Sequence, residues 1–400
     1  MAIPRSQAPG SVVLEADDFQ QLIDVLKAQG YRVAGPAVRD GAIVFDEVNA
    51  VTDLPVGWYD EQKPGAYRLR KRRDKSYFAY VVGQHSLKEY LHPPVVTLYT
   101  AQRNGSSFKA PIPAREAPKT AFLGVRPCDV ASVAVLDRVF RDSAYPNPVY
   151  CARREALFIV AVNCIHPSGS CFCASMGTGP KAAGGFDIAL TEVVESRHHY
   201  FLVDAGSKAG EKVLASLPTT PATDDELLAA EKALAKAAQQ MGKTLQTAGL
   251  RDALYRNVEN PRWEDAAERC LACGNCTLVC PTCFCTTVED TTNLSGSEAE
   301  RRQRWDSCFT LEHSYVHGGS VRTSGMSRYR QWLMHKLAYW WDQFGTSGCV
   351  GCGRCITWCP AGIDITQEAG AVRSSEQGVK EEGDGNVQVH SRASSVLQGL

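Results

Sequence analysis

CLACGNCTLVCP, residues 270–281, and CVGCGRCITWCP, residues 349–360, carry one spacing, C-x2-C-x2-C-x3-C-P. Two-residue gaps let three thiolates converge on one face of a [4Fe–4S] cubane. The x3 step turns the fourth cysteine onto a helix that points away, toward a second cluster. By this crossing rule Cys270, Cys273, Cys276 and Cys359 hold cluster one, and Cys349, Cys352, Cys355 and Cys280 hold cluster two. Gly274, Gly351 and Gly353 allow close backbone approach, so that their N–H groups can reach cluster sulfurs. Zinc is the alternative occupant. Structural zinc sites usually join two ligand pairs from separated segments. Four cysteines within eleven residues, twice, each run ending in proline, do not fit that pattern.

Outward from the arrays, the 68 residues 281–348 exceed what a minimal ferredoxin needs. The insertion therefore carries its own structure, and the expected surround of the clusters is mainly α-helical. Met326 to Phe344 supplies a helix with Tyr329, Trp332, Leu333, Leu337, Trp340, Trp341 and Phe344 as its apolar positions and Gly345 as its stop. Its basic residues Arg328, Arg330, His335 and Lys336 can offset cluster charge or dock a partner. Thr291 to Arg304 reads as a polar excursion, and 371–400, rich in Ser, Gly and Glu, as a disordered tail.

Residues 1–220 alternate strand and helix. Phe19 to Gly30 has helical spacing, and Val95 to Ala101, Thr120 to Val125 and Leu157 to Val162 are apolar runs suited to buried strands. Asp129 to Phe140 lies between the last two as a helix, with Asp129 read as its N-cap. Strand, helix, strand is a βαβ unit, so the N-terminal region is expected to be α/β with parallel pairing. Two more strands are expected, at Asp187 to Val193 and Tyr200 to Asp204. Pro218 to Asp224 reads as a linker and 221–258 as a helical connector. The organisation is thus 1–220 α/β, 221–258 connector, 259–370 double ferredoxin-type domain, and a tail.

Eight cysteines lie outside the arrays. Cys128 follows one predicted strand and Cys164 ends the next, with Cys171 and Cys173 in the loop beyond. Ligands gather past the carboxyl ends of parallel strands, so these four can form a third centre, either an iron–sulfur cluster or a mononuclear iron. The opposing reading is that they are small buried hydrophobes. Cys283, Cys285 and Cys308 are a further thiol group that lacks a fourth ligand. Cys151 has no such context. His313, His317 and His335 can ligate metal, though isolated histidines usually do not.

Composition sets exclusions. The 400 residues are 44% hydrophobic and 22% charged, with a net charge of −1, so nothing favours nucleic acid or a membrane surface as partner. Tyr67 to Tyr80 is basic, but reads as a hairpin with solvated charges and its turn near residues 73–75. The N-terminus lacks the apolar core of a signal peptide, and no apolar run is long enough to span a membrane. Sixteen cysteines in a chain of this kind are expected to stay reduced, which places it in the cytoplasm. No P-loop or dinucleotide fingerprint occurs, so the chain has no nucleotide site of its own to offer.

Several segments together carry a resemblance. GVRPCD at 124–129, the NC and CFC cysteines with SMGTGP at 175–180, CPTCFC at 280–285, WDSC at 305–308, RYR and HK within 328–336, and CVGCGRC at 349–355 resemble the beta subunit of soluble nickel–iron hydrogenases, also called sulfhydrogenases. The electron-transfer subunit of anaerobic sulfite reductase forms a related family with a similar pattern. The likeness runs from about residue 65 to residue 366. It implies an electron conduit that joins the hydrogenase small and large subunits to a diaphorase subunit with flavin and NAD(P)H. The nickel–iron site would belong to the large subunit, so this chain would not split hydrogen alone. The alternative implied is the electron-transfer subunit of an anaerobic sulfite reductase.

Overall fold

The computed structural model describes residues 10–105, 107–110, 117–195 and 198–381. Its main sheet has eight strands in the order Thr219–Pro221, Val12–Glu15, His199–Ala205, Ile188–Val194, Leu157–Val162, Thr120–Val125, Arg32–Arg39 and Ala42–Glu47. The four strands from Ile188–Val194 to Arg32–Arg39 are parallel, and the flanks are antiparallel. Thr120–Val125 and Leu157–Val162 are buried at every position, as the unbroken apolar runs of a strand covered on both faces require. Each fully buried Leu, Val or Phe there contributes about 1.5–3 kcal/mol. The βαβ unit is present, with the helix Pro127–Phe140 between these strands.

That helix starts earlier than its sequence suggests. Pro127 occupies its first turn and Arg126 its N-cap, so Asp129 is not the cap. Asp129 is fully buried, and both its oxygens accept hydrogen bonds from Arg354, at 2.7 and 2.9 Å. The strand ahead of it breaks register at Gly124, where φ is +81° and an added Cβ would meet Pro36 at 2.9 Å. Pairing resumes only at Val125 with Ala161, just before Arg126, Cys128 and Asp129.

Other elements depart from expectation. The segment 218–224 is not a free linker, because Thr219–Pro221 pairs with Val12–Glu15 at the sheet edge. In 221–258, Thr223 caps the helix Asp224–Gln239 in a capping box with Glu226. This helix packs on the main sheet through Ala230, whereas Leu250 and Leu254 join the core around the clusters. The basic hairpin is Trp58–Lys63 with Ala66–Lys71, so its turn lies at Pro64 and Gly65 and not near residues 73–75. Val95–Asn104 belongs to a second sheet.

That second sheet corrects the mainly helical reading of the cluster region. The supposed polar excursion is a β-hairpin, Thr286–Thr292 with Glu298–Trp305, whose second strand pairs with Val95–Asn104. Alternating charges explain how polar strands persist. Arg301 pairs Asp290 and Arg304 pairs Glu289 across the ladder. The helix expected over 326–344 is present as Gly325–Met334, a π-helical turn at His335–Tyr339, and Trp340–Phe344. Trp341 is exposed, while Tyr329, Trp332, Leu333, Leu337 and Trp340 are buried. The helix Ile365–Glu381 crosses position 371, where the sequence suggests disorder, and buries Ala369 and Val372. The rest of that expected tail, 382–400, lies outside the described residues.

The Asp129–Arg354 pair is a buried bridge between two segments 225 positions apart. Asp129→Ala leaves the guanidinium uncompensated, and is expected to destabilise the folded protein by about 3–5 kcal/mol. Denaturant midpoints measured anaerobically check this. Asp129→Leu/Arg354→Met is expected to recover part of the loss, since it removes both charges.

Candidate metal centres

The two arrays adopt the same backbone turn. Ala272 and Gly274 in the first, and Gly351 and Gly353 in the second, all have φ between +52° and +78°. The turn points successive thiols inward. Cys270, Cys273, Cys276 and Cys359 line one cavity, with Leu271, Tyr329 and Trp332 on its walls. Cys280 instead lies among Cys349, Cys352 and Cys355, each of which is pushed up partly by its neighbours' charge. Cys355 also lines the first cavity, so the two groups of thiols adjoin.

Donors to sulfur are in place. The N–H groups of Ala272, Gly351 and Ile363 point at Cys270, Cys349 and Cys359 Sγ, each at 3.4 Å. Burial drives the thiols of Cys276 and Cys355 far up, and Cys349 up to about 12. Thiols gathered so closely in a dry interior become thiolates only when a cation binds them. Sulfur-only donors, the repeated turn and the N–H···S contacts all suit cubanes. Among the described residues, no three His, Cys, Asp or Glu side chains are gathered closely enough for a single metal ion.

The arrays differ in exposure. Leu271 is 68% exposed and Cys273 lies at the surface. The second array is covered by the loop bearing Cys171 and Cys173. There Phe172 N–H donates to Gly351 O at 2.8 Å, and Thr178 Oγ1 to Val350 O at 2.6 Å. A Cβ on Gly351 would approach Cys173 backbone to 2.7 Å, and one on Gly353 would approach Ser170 O to 2.4 Å. The matching position of the open array is free to be Ala272.

Cys128, Cys164, Cys171 and Cys173 are all buried in this seam. Cys173 feels Cys171, Cys164 and Cys352; Cys128 feels Cys173 and Cys352. Burial pushes all four upward, Cys171 to about 12. Beside Cys164 lies Arg126, 1% exposed, which acts on the Cys164 thiol and donates to Phe78 O and Tyr80 O through Nη2; among the described residues its Nε and Nη1 have no nitrogen or oxygen partner. A buried guanidinium left this short of acceptors suits an anionic centre. Cys151 lies apart, its Sγ 3.8 Å from Phe140 O.

Cys283, Cys285 and Cys308 do not converge on one point. Cys283 hydrogen-bonds Cys280, while Cys285 hydrogen-bonds Cys308 and His313. His313 donates through Nδ1 to Asp306 Oδ2, 2.9 Å away. The Cys308 contact, then His313, draws Cys285 down to about 4, and His313 rises to about 9. His335 is half-buried, and desolvation pushes it down to about 4. His317 sits in the turn between the short strands Tyr315–Val316 and Gly319–Ser320. Of the basic residues on the segment 325–344, Lys336 alone contacts an array cysteine, donating to Cys280 Sγ at 3.1 Å. Arg328 and Arg330 cap carbonyls instead. Sequence reasoning missed Arg126, Asp129 and Arg354 as a polar seam, although GVRPCD and CVGCGRC held all three.

Residues 269–363 match the family model of a 4Fe-4S dicluster domain. Over 365 residues the chain is 32% identical to sulfhydrogenase 2 subunit beta of Pyrococcus furiosus, covering 90% of this chain and 98% of the relative. The chain belongs to the sulfhydrogenase beta subunit family. No solved structure matches it. As a member of this family with a 4Fe-4S dicluster domain, it is an iron–sulfur electron-transfer subunit. Among the described residues, no helix is long and apolar enough to cross a membrane.

Loaded protein is expected to carry at least about eight irons and eight labile sulfides per chain, and about twelve if the seam cysteines hold a third cubane. Cys171→Ser should lower iron by the content of that third centre and leave both array clusters intact, whereas Cys151→Ser should match the wild type. Equal iron in all three proteins would make the seam cysteines packing residues only.

Proposed function

We propose that this chain relays electrons between a nickel–iron hydrogenase and a flavin- and NAD(P)H-binding diaphorase subunit, through a line of three centres. The observation that carries the reading is the ordering of the cysteine groups by depth. Cys270, Cys273, Cys276 and Cys359 form the group nearest the surface, with Cys273 and Leu271 exposed. Cys349, Cys352, Cys355 and Cys280 lie beneath the Phe172 loop. Cys171 and Cys173 lie on that loop, with Cys128 and Cys173 close to Cys352 and Cys164 close to Cys171. Such a succession suits one-electron transfer from a partner at one face to a partner at another.

Two [4Fe–4S] clusters, on the crossed ligand sets, supply the redox chemistry when bound. The protein's own part is to hold the thiolates, donate N–H groups to their sulfurs and keep water from the inner centre. The third centre is proposed as a cluster. Arg126 supplies buried positive charge that suits an anionic cluster there. No nucleotide motif accompanies these groups, so nicotinamide chemistry is assigned to a partner.

The isolated chain is expected to exchange electrons with viologen dyes but to show neither NAD(P)H oxidation nor hydrogen uptake. Both activities should appear only after reconstitution with flavin and nickel–iron subunits. Steady NADPH oxidation by the pure, loaded chain would contradict this division of labour.

A further inference from the structure

We propose that Lys336 raises the reduction potential of cluster two above that of cluster one, making the buried cluster the electron sink of the pair. This rests on the two-cluster reading above and assigns a direction within it. The Nζ of Lys336 lies 3.1 Å from Cys280 Sγ and 3.5 Å from Thr282 Oγ1. The residue is 4% exposed. Among the described residues no carboxylate contacts its ammonium, so its charge is directed at sulfur.

The backbone is built to aim this side chain. Lys336 falls in the π-helical turn His335–Tyr339, which interrupts an otherwise α-helical segment. Such single turns insert one residue and re-aim the side chains around it. The carbonyl of Lys336 accepts from Gly348 N at 2.9 Å and from Ser347 Oγ at 3.3 Å. The turn is thereby pinned to the residues just before Cys349.

The other buried cations are balanced differently. Arg354 lies near Cys352 but spends its charge on both oxygens of Asp129. Lys88 donates to Leu278 O at 2.7 Å and Thr277 O at 3.3 Å, with its Nζ 3.8 Å from the centre of the Trp305 ring, and burial lowers its pKa. Near cluster one, Arg328 influences Cys270 but donates to the carbonyls of Arg322 and Thr323. Lys336 also acts on Cys276 and Cys308, without direct contact.

A [4Fe–4S] cluster with four thiolates goes from a net charge of about −2 to about −3 when it gains one electron. No bond is made or broken and no proton moves. A fixed ammonium in hydrogen-bond contact favours the more negative state, and in a dry interior this preference is poorly screened. Cluster two receives this contact and cluster one does not. Electrons entering at the exposed Cys273 side would then run downhill toward the seam.

EPR-monitored redox titration of the full, loaded chain tests the proposal. In the wild type, the cluster reduced first should be the one perturbed by Cys352→Ser. Lys336→Met should lower that cluster's midpoint by at least tenfold in the reduction equilibrium, about 59 mV for one electron, and shift cluster one less. Lys88→Met, a comparable deletion without thiolate contact, should shift it less than Lys336→Met does. Where Lys336→Met loads incompletely, Lys336→Gln carries the measurement, and the wild-type order of reduction stands independently of both. Wild-type midpoints in a fully loaded variant, or cluster one reduced first in the wild type, would overturn the proposal. Absent iron in the wild type would instead overturn the two-cluster reading itself.

Discussion

The contact between Arg354 and Asp129 fixes how the two halves of this protein meet. Both side chains are almost wholly out of water, at 3% and 0% exposure. Taking two ions from water costs several kcal/mol each, so the pair persists only because its geometry is bidentate and its spare donor is used. That donor, Arg354 Nε, reaches Gly83 O at 3.0 Å. Three segments, around 83, 129 and 354, are locked at one point. Asp129 adjoins Cys128, and Arg354 lies between Cys352 and Cys355. A bond that sets domain orientation therefore also sets the separation of two thiol groups. An electron relay depends on such separations being fixed, and a bidentate pair resists sliding in a way that an apolar contact does not.

Local patterns were readable where the constraint itself is local. The cysteine spacing follows from one turn closing around one cluster, and it pointed to the dicluster domain over residues 269–363. The unbroken apolar runs at 120–125 and 157–162 follow from burial on both faces of a strand, and they pointed to the βαβ unit. The strands expected at 187–193 and 200–204 are present as Ile188–Val194 and His199–Ala205, but the remaining edge strands were not legible. Arg32–Arg39 contains Gly35 and Pro36, which argue against a strand until its pairing with Ala42–Glu47 is known. The hairpin Thr286–Thr292 with Glu298–Trp305 is polar, and only its cross-strand ion pairs and its partner Val95–Asn104 make it a sheet. Asp129 looked like a helix cap because the residue that claims it lies 225 positions away.

The small difference between the arrays, Ala272 against Gly351, records where each sits. Both positions need positive φ, which glycine adopts freely and alanine only with strain. Alanine is sterically possible at the open array. It is excluded at the covered one, where the loop 171–173 leaves no room for a Cβ. The requirement for glycine thus comes from the neighbouring domain as well as from the cluster turn. This also explains why the CFC loop and the second array occur together: Phe172 N–H and Gly351 O are partners in one hydrogen bond, and each segment shields the other's thiols.

The same seam concentrates buried cations. Arg126, Lys336 and Lys88 are each 4% exposed or less, and none has a carboxylate partner among the described residues. In a metal-free protein the neighbouring thiols are driven toward their neutral forms by burial, as with Cys128, Cys164 and Cys355. Arg126 would then be short of compensation, and these thiols would lack a reason to ionise. Cluster insertion resolves both at once, because it converts neutral thiols into an anionic centre beside fixed positive charge. The polar seam and the clusters are therefore mutually dependent. The positive side chains favour loading, and loading is what makes their burial tolerable. Domain closure around the second array is thus linked to iron as well as to the Arg354–Asp129 bond.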